Sequence, residues 1–301
     1  MWEENDNRLM RKVCDFNFSD ILVYLNRNPK EVLHQVDLEN QCVTKAVSIE
    51  KEHIIIRVSK KAEFLTIEIL SGSIDTKTKI EVGCYVDKWF DLNRDLKPFY
   101  DVASQDKLLN EVVSTYKGLR IVGVEDLFEA LCWAIMGQQI SLHVAYSLKQ
   151  KLVTTYGESL IYEDKKYWLF PTPEKIGSIG LEDLRKLSFT QRKAEYVLGV
   201  AQLLRTGLLS RQHFEGLSLE QMEKELISIR GIGKWSANYV IMRCFRHSDA
   251  FLIADVGLHN ALKKLLKRDE KPTIHEIESL AEKWIGWRAY ATFYLWRSLQ
   301  P

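Results

Sequence analysis

The spacing of the hydrophobic residues changes near residue 100, and this change limits the folds that the chain can adopt. Before it, three runs alternate apolar and polar side chains and are rich in Ile, Val and Thr, as antiparallel strands are: Val43 to Ile49, His53 to Val58 and Phe64 to Leu70. After it, apolar residues recur every three or four positions, as between Phe128 and Ile135, which is typical of amphipathic helices. The segment from Asp20 to Asn26 fits either a short helix or a strand.

These patterns predict two domains. An α+β N-terminal domain, built from a small antiparallel β-sheet with helices, would occupy residues 1–105. An all-α domain would occupy residues 106–301, with helices that continue to the C-terminus. Gly and Pro interrupt the helical pattern at residues 171–180, and Gly interrupts it again at 231 and 233.

Charge and cysteine content exclude several other classes of protein. The chain has 42 Lys and Arg against 41 Asp and Glu, a net charge of +1, which by itself gives no sign of a nucleic-acid partner. The five cysteines are an odd number without a CxxC pair, so we expect neither a disulfide framework nor a cysteine zinc site. The N-terminus is polar and no run of 18 apolar residues occurs. We expect a cytoplasmic protein with reduced thiols and no membrane contact.

The most unusual stretch is a tight turn between two amphipathic helices, a helix-hairpin-helix at about residues 219–245. Gly231, Ile232 and Gly233 form the turn, and Lys234 follows it. Two glycines leave the backbone amides unshielded, and the second helix begins there with its free N–H groups and positive dipole end. That geometry suits a phosphate, although a turn of this kind between packed helices is also commonplace.

The turn lies in the most basic part of the chain. Residues 226–268 contain two acids, Asp249 and Asp255, and eight bases: Arg230, Lys234, Arg243, Arg246, Lys263, Lys264, Lys267 and Arg268. The local charge is thus +6 in a chain of +1. Such asymmetry is typical of a surface that binds a nucleic-acid backbone, and solvated helix faces also account for part of it.

Asp255 lies 22 residues after Gly233, between an apolar stretch and another amphipathic helix. One interpretation is an N-cap, a position that favours Asp. The other is a functional carboxylate held at the start of a helix. The two are compatible, since the positive end of a helix stabilises a carboxylate.

A helix, a Gly-Ile-Gly hairpin, a second helix and an isolated Asp at this spacing resemble the helix-hairpin-helix DNA glycosylase superfamily. Within it, the chain is most similar to the alkylation-repair branch, the DNA-3-methyladenine glycosylase II type. The similarity covers about residues 119–298 and rests on Gly118 to Gly123, Phe128 with Gly137-Gln138, Gly231 to Tyr239, Asp255, Ala281 to Trp284, Trp287 to Tyr290 and Leu295-Trp296. The N-terminal part resembles the family's small β domain only in Trp89 to Leu92 and in its many strands.

The resemblance implies a monofunctional DNA glycosylase that flips out and excises alkylated bases, 3-methyladenine and related N-alkylpurines, in base excision repair. Asp255 would be the catalytic carboxylate, which stabilises an oxocarbenium-like sugar and orients or deprotonates the attacking water. Its partner would be double-stranded DNA containing alkylated bases. We expect the protein to act as a monomer, associated with the nucleoid when bound to DNA.

Aromatic residues match the family's base pocket at Trp235, Tyr239 and Trp296. A cationic alkylated purine would stack on such rings. Aromatic residues at helical spacing are also typical of a core, and for Tyr239 the two interpretations are evenly balanced. The core is where we expect three others: Trp133, Trp284 and Trp287.

A wedge that fills the DNA gap is expected just after Gly137-Gln138. The alkylation-repair branch places an apolar side chain there, whereas this chain has Gln139 and so departs from the pattern. Gln139 could fill the gap and hydrogen-bond to the orphaned base, or its neighbour Ile140 could enter instead. Both remain candidates for the wedge.

Other members of the superfamily differ at recognisable positions. Those with lyase activity carry a Lys two residues past the second hairpin glycine, where it forms a Schiff base with the sugar; here that position is Trp235. We therefore expect no strand cleavage. Members with an iron–sulfur cluster have four cysteines near the C-terminus, whereas none follows Cys244 here, so we expect no cluster and no required cofactor. The backbone carbonyls of Ile227, Ile229 and Gly231 could hold Na⁺ or K⁺.

Two alternatives stay open. The chain could be a related glycosylase for oxidised purines, or a catalytically silent helix-hairpin-helix protein that only binds DNA. Asp255 argues against the second alternative, because a carboxylate there repels phosphate and binding alone does not need it.

Overall fold

A six-stranded antiparallel sheet forms the N-terminal part of the chain in this computed structural model, which describes residues 2–49 and 52–300. Its strands are β1 Glu3–Asn5, β2 Arg8–Lys12, β3 Gln35–Asp37, β4 Cys42–Ile49, β5 Glu52–Lys61 and β6 Phe64–Ser71. They lie in the order β1-β2-β6-β5-β4-β3. The three strands predicted from alternation are confirmed as β4, β5 and β6, which pair as successive hairpins.

Side-chain alternation explains why both faces of this sheet are covered. On β5, Ile54 and Ile56 point into the main core, whereas Ile55 between them points to the opposite face. A second, two-stranded sheet of β7 Ser159–Tyr162 and β8 Lys165–Trp168 covers that face through Tyr167. The prediction of a helical second domain is confirmed apart from this hairpin, whose strands of four residues are too short to show a period in the sequence.

Helices make up most of the rest of the fold. The ambiguous segment near Asp20 is helical, and Asn17 caps its helix by accepting a hydrogen bond from the Asp20 N–H. The helices are α1 Phe18–Leu25, α2 Thr76–Trp89, α3 Lys97–Ser104, α4 Lys107–Thr115, α5 Leu127–Met136, α6 Leu142–Tyr156, α7 Pro173–Gly177, α8 Leu181–Lys186, α9 Gln191–Arg205, α10 Leu219–Ser228, α11 Lys234–Arg243, α12 Val256–Leu265, α13 Ile274–Ala281 and α14 Arg288–Arg297. Within the described ranges, none of these helices is long and apolar enough to cross a bilayer.

One apolar core runs through both parts of the chain. Phe99 on α3 packs against the Tyr290 and Tyr294 rings of α14, with centroids 5.5 and 5.1 Å apart. Largely buried ion pairs also join the two parts: Lys149 Nζ lies 2.9 Å from Glu31 Oε2, and Arg297 Nη2 lies 2.9 Å from Asp20 Oδ1. The N-terminal part is therefore fixed against the helices that carry the site.

Candidate active site

The hairpin predicted at about 219–245 consists of α10, a glycine turn and α11. Gly231 has φ +94°, and a Cβ there would lie 2.3 Å from the ring of Tyr196, so only glycine fits. Ile232 is buried and fixes the turn to the core. Gly233 is the N-cap of α11, where no side chain caps the helix and the space around the glycine is open. The first N–H groups of α11 are thus available to an anion.

Asp255 caps α12 and receives three hydrogen bonds. Its Oδ1 accepts from the Leu258 N–H over 2.8 Å, as an N-cap carboxylate does. Trp296 Nε1 donates to the same oxygen over 2.8 Å, and Trp235 Nε1 donates to Oδ2 over 3.1 Å. Asp255 is therefore the expected N-cap, and two indoles also hold its carboxylate in one orientation.

The aromatic residues matched to the base pocket lie together beside this carboxylate. The rings of Trp235 and Tyr239 are stacked, with centroids 5.5 Å apart and planes 21° apart. Trp235 and Trp296 are half-buried, whereas Tyr239 is buried and its hydroxyl accepts a hydrogen bond from Arg243 over 3.1 Å. Trp284, by contrast, is fully buried in the core, as expected.

The loop between α5 and α6 carries both wedge candidates. Gln139 is exposed and has φ +54°, whereas Ile140 is half-buried and packs against the core. Gln138 ties this loop to the hairpin, since its Nε2 donates to the Gly231 carbonyl over 2.8 Å. Lys193 on α9 also anchors this loop. Its Nζ donates to the Gln138 carbonyl over 2.8 Å and to the carbonyl of Met136 at the end of α5.

The basic stretch does not form one surface. Arg243 is buried and donates hydrogen bonds to the Val122 carbonyl and the Tyr24 hydroxyl. Arg246 is turned inward and forms an ion pair with Glu125. Both guanidiniums thus bind polar partners inside the fold. The prediction that they contribute to a DNA-binding surface is therefore wrong. On the hairpin itself, Arg230 and Lys234 are exposed.

Of the three carbonyls suggested for a monovalent cation, two already accept hydrogen bonds. The Ile229 carbonyl accepts from the Ile232 N–H over 3.0 Å, and the Gly231 carbonyl accepts from Gln138. A carbonyl oxygen has two lone pairs, so a Na⁺ or K⁺ ion bound by Ile227, Ile229 and Gly231 is compatible with these bonds and stays a prediction.

A cavity of about 720 Å³ lies between the N-terminal part and the helices. Its lining includes Tyr239 of the aromatic group and Trp133, a buried core residue as predicted, together with Tyr24, Arg27 and Tyr146. No pattern in the sequence points to Tyr24 or Arg27, because Tyr24 on α1 and Arg27 just after it reach this place only by packing against the helical part. No local spacing distinguishes them from other residues of that segment.

Comparison with family models and curated proteins gives the following matches. Residues 132–286 match the model described as HhH-GPD superfamily base excision DNA repair protein, and residues 35–131 match the 8-oxoguanine DNA glycosylase N-terminal domain. The chain is 42% identical to the DNA-3-methyladenine glycosylase of Bacillus subtilis over 99% of both chains.

Two solved structures share the fold. The 3-methyladenine DNA glycosylase from Archaeoglobus fulgidus superposes with a TM-score of 0.80 at 22% identity, over 95% of this chain and 96% of that one. The 8-oxoguanine glycosylase/lyase of Clostridium acetobutylicum, in complex with double-stranded DNA, gives a TM-score of 0.78 at 22% identity, over 99% and 97%. By its family model and its full-length relative, the chain belongs to the HhH-GPD superfamily of base excision DNA repair proteins.

Proposed function

We propose that the chain is a DNA glycosylase that excises N-alkylated bases, 3-methyladenine among them, from double-stranded DNA in base excision repair. The observation that carries the proposal is the Asp255 carboxylate, which accepts hydrogen bonds from the indoles of Trp235 and Trp296. The name of the Bacillus subtilis relative, which aligns with the whole chain, supports alkylated bases as the substrate class.

Excision requires the base to leave the helical stack, because its glycosidic bond is inaccessible inside duplex DNA. The sugar would then lie beside Asp255 and the base beside Trp235. As the bond breaks, positive charge develops on the sugar, and the fixed carboxylate of Asp255 stabilises that charge. Because three donors already orient the carboxylate, little reorganisation is needed when the charge appears.

Gln139 is the residue that we assign to the DNA gap. It is exposed on the loop next to the hairpin, and Gln138 links that loop to Gly231. An amide side chain can fill the space and donate or accept a hydrogen bond with the orphaned base. Ile140 instead contributes to the core and would support the loop from within.

Absence of lyase activity is part of the proposal. The residue two positions past Gly233 is Trp235, whose indole N–H donates to Asp255. The neighbouring Lys234 is exposed, and its Nζ lies 4.0 Å from Glu223 on α10. Without an amine beside the sugar, no Schiff base forms. Borohydride treatment of the protein with damaged DNA should trap no covalent complex, and a trapped complex would overturn this assignment.

The test of the whole proposal is base release from duplex DNA treated with a methylating agent. Release of 3-methyladenine supports it. Release of oxidised purines alone, from a parallel 8-oxoguanine duplex, would favour the alternative suggested by the match to the 8-oxoguanine glycosylase N-terminal domain. Binding without release would favour a silent DNA-binding protein. We also propose that the enzyme acts as a monomer in the cytoplasm. Light scattering with and without DNA tests the oligomeric state.

A further inference from the structure

Lys193 on α9 binds the backbone where α5 ends and the loop that carries Gln139 begins. Its Nζ lies 2.7 Å from the carbonyl oxygen of Met136, the last residue of α5, and 2.8 Å from that of Gln138. The residue is only 8% exposed, so its ammonium loses hydration that these hydrogen bonds must replace. Carbonyls at the end of a helix have no partner within the helix and carry its negative dipole end, which makes them suitable partners for an ammonium.

Both hydrogen bonds of Lys193 go to this loop and neither goes to an acidic side chain. Among the residues that the structure describes, no carboxylate lies within 4.0 Å of its ammonium. Burial lowers the pKa of Lys193, and no charged group in that part of the chain opposes the shift. The buried ammonium is therefore explained by the loop that it binds.

Gln139, the residue assigned to the DNA gap, comes directly after the second of these carbonyls. Its φ is +54°, a left-handed conformation that costs a residue other than glycine free energy and persists where neighbouring contacts determine it. The Gln138 carbonyl belongs to the planar peptide group that leads into Gln139. By holding this oxygen, Lys193 fixes the plane from which the Gln139 side chain projects.

The same helix also supports the hairpin. Tyr196, three residues after Lys193, lies on the same face of α9, and a Cβ on Gly231 would lie 2.3 Å from its ring. Next to it, the Glu195 carboxylate lies 2.8 Å from Arg230 Nη2. One helix thus sets the place of the Gln139 loop relative to the turn whose amides are available to a phosphate.

We propose that Lys193 is a positioning residue, which orients Gln139 for entry into the DNA gap at a fixed place relative to the hairpin. The inference rests on the proposed function and names a residue on which base flipping depends through Gln139. The other interpretation is a C-cap of α5 and nothing more, since lysines commonly bind the last carbonyls of a helix. Loss of Lys193 would then lower stability without acting through Gln139.

A double-mutant cycle separates these two roles. K193M keeps the aliphatic stem but removes the ammonium, and we expect single-turnover release of 3-methyladenine from methylated duplex DNA to fall by about fivefold to tenfold. Q139A/K193M should be less than about twofold slower than Q139A alone, because a residue that acts through Gln139 has no further effect once that side chain is absent. Losses that multiply in the double variant would overturn the proposal.

Fluorescence of 2-aminopurine placed beside an abasic-site mimic follows entry into the gap without requiring excision. The part of the fluorescence change on binding that Q139A abolishes reports on Gln139. We expect K193M to lose most of this part at saturating protein, while its affinity for an undamaged duplex is unchanged because the hairpin is kept. A full signal from folded K193M would contradict the role of Lys193, as would a signal in the wild-type protein that does not depend on Gln139.

Arg205 provides the matched control. It lies on the same helix, and its Nη1 donates to the carbonyl of Gly177, the last residue of α7, over 3.0 Å. R205M therefore removes a cation from the end of a different helix and should leave base release and fluorescence unchanged. Thermal unfolding shows whether K193M folds; if it does not, K193Q, which is shorter and uncharged, replaces it in both measurements.

Failure of this inference can be distinguished from failure of the proposed function. If the wild-type protein releases methylated bases and K193M matches it in release and in fluorescence, Lys193 has no positioning role and the proposed function stands. If the wild-type protein releases no methylated base, the proposed function fails. The fluorescence measurement on the abasic-site duplex then still decides whether Lys193 positions Gln139.

Discussion

Trp296 Nε1 lies 2.8 Å from Asp255 Oδ1, and the two residues are 41 positions apart in the chain. The same oxygen accepts from the Leu258 N–H in the first turn of α12, while Trp235 donates to the other oxygen. The pocket residues Trp235 and Trp296 are thus joined to the Asp255 carboxylate by hydrogen bonds. The indoles that would stack on the damaged base also orient the group that would stabilise the sugar.

This relationship makes W296F informative. Phe keeps an aromatic surface for the base but cannot donate to Asp255. Since a hydrogen bond to a charged group contributes about 1.5–3 kcal/mol, we expect single-turnover excision to slow by about tenfold to a hundredfold. DNA affinity, measured by fluorescence anisotropy, should change little. The control is W287F, at a core position that packs against Phe99 and Tyr290; an equal slowing there would point to a general loss of packing instead.

The wedge assignment predicts different effects at two adjacent residues. Q139A removes an exposed side chain and should lower excision by about tenfold, the scale of a few base-contacting interactions, without changing thermal stability. I140A removes a half-buried side chain and should lower the free energy of unfolding by about 1 kcal/mol, with a smaller effect on excision. The reverse pattern in excision assays and thermal melts would assign the wedge to Ile140.

The two hairpin glycines should respond differently to alanine. G231A must accommodate φ +94° and a Cβ within 2.3 Å of the Tyr196 ring, so we expect a loss of about 2–4 kcal/mol in the free energy of unfolding. G233A is the matched control, because its surroundings are open and its φ is −93°. Urea unfolding measures both variants; similar losses at the two positions would contradict the turn geometry.

The ion pair between Lys149 and Glu31 should make stability depend on pH. Burial alone would raise the pKa of the Glu31 carboxyl, but the ammonium of Lys149, together with His34 and the Leu33 N–H, outweighs it and holds that pKa well below its usual range. A carboxyl whose pKa is lowered by folding stabilises the native state above its unfolded pKa of about 4.3. That contribution is lost as the pH falls through the lower native pKa.

K149M therefore leaves the buried Glu31 carboxylate without its cationic partner. This should lower the free energy of unfolding at pH 7 by about 3–5 kcal/mol. The double variant E31Q/K149M should recover much of this loss. K151M, on the same helix but at an exposed lysine, is the control and should be nearly neutral. Denaturant unfolding at pH 7 and pH 4 measures all three; a K149M loss that does not shrink at acid pH would contradict the pairing.

Local signals in the sequence were enough for much of the fold and for part of the site. Strands β4 to β6, the hairpin turn and the N-cap role of Asp255 each depend on a few neighbouring residues, and each was predicted. The β7–β8 hairpin was missed because each strand has only four residues. The inward turn of Arg243 and the place of Arg27 in the cavity depend on two contacts, Arg243 with Tyr24 and Arg27 with Tyr146. Each joins residues more than a hundred positions apart, which no local spacing encodes.

Single-turnover release of methylated bases by D255N tests the central claim most directly. Asn keeps the size of the side chain and an acceptor for the Leu258 N–H but removes the negative charge. We predict that excision falls by at least about a hundredfold, while binding to a duplex with an abasic-site mimic is retained. Release of 3-methyladenine by D255N at the wild-type rate would contradict the assignment of Asp255 as the catalytic carboxylate.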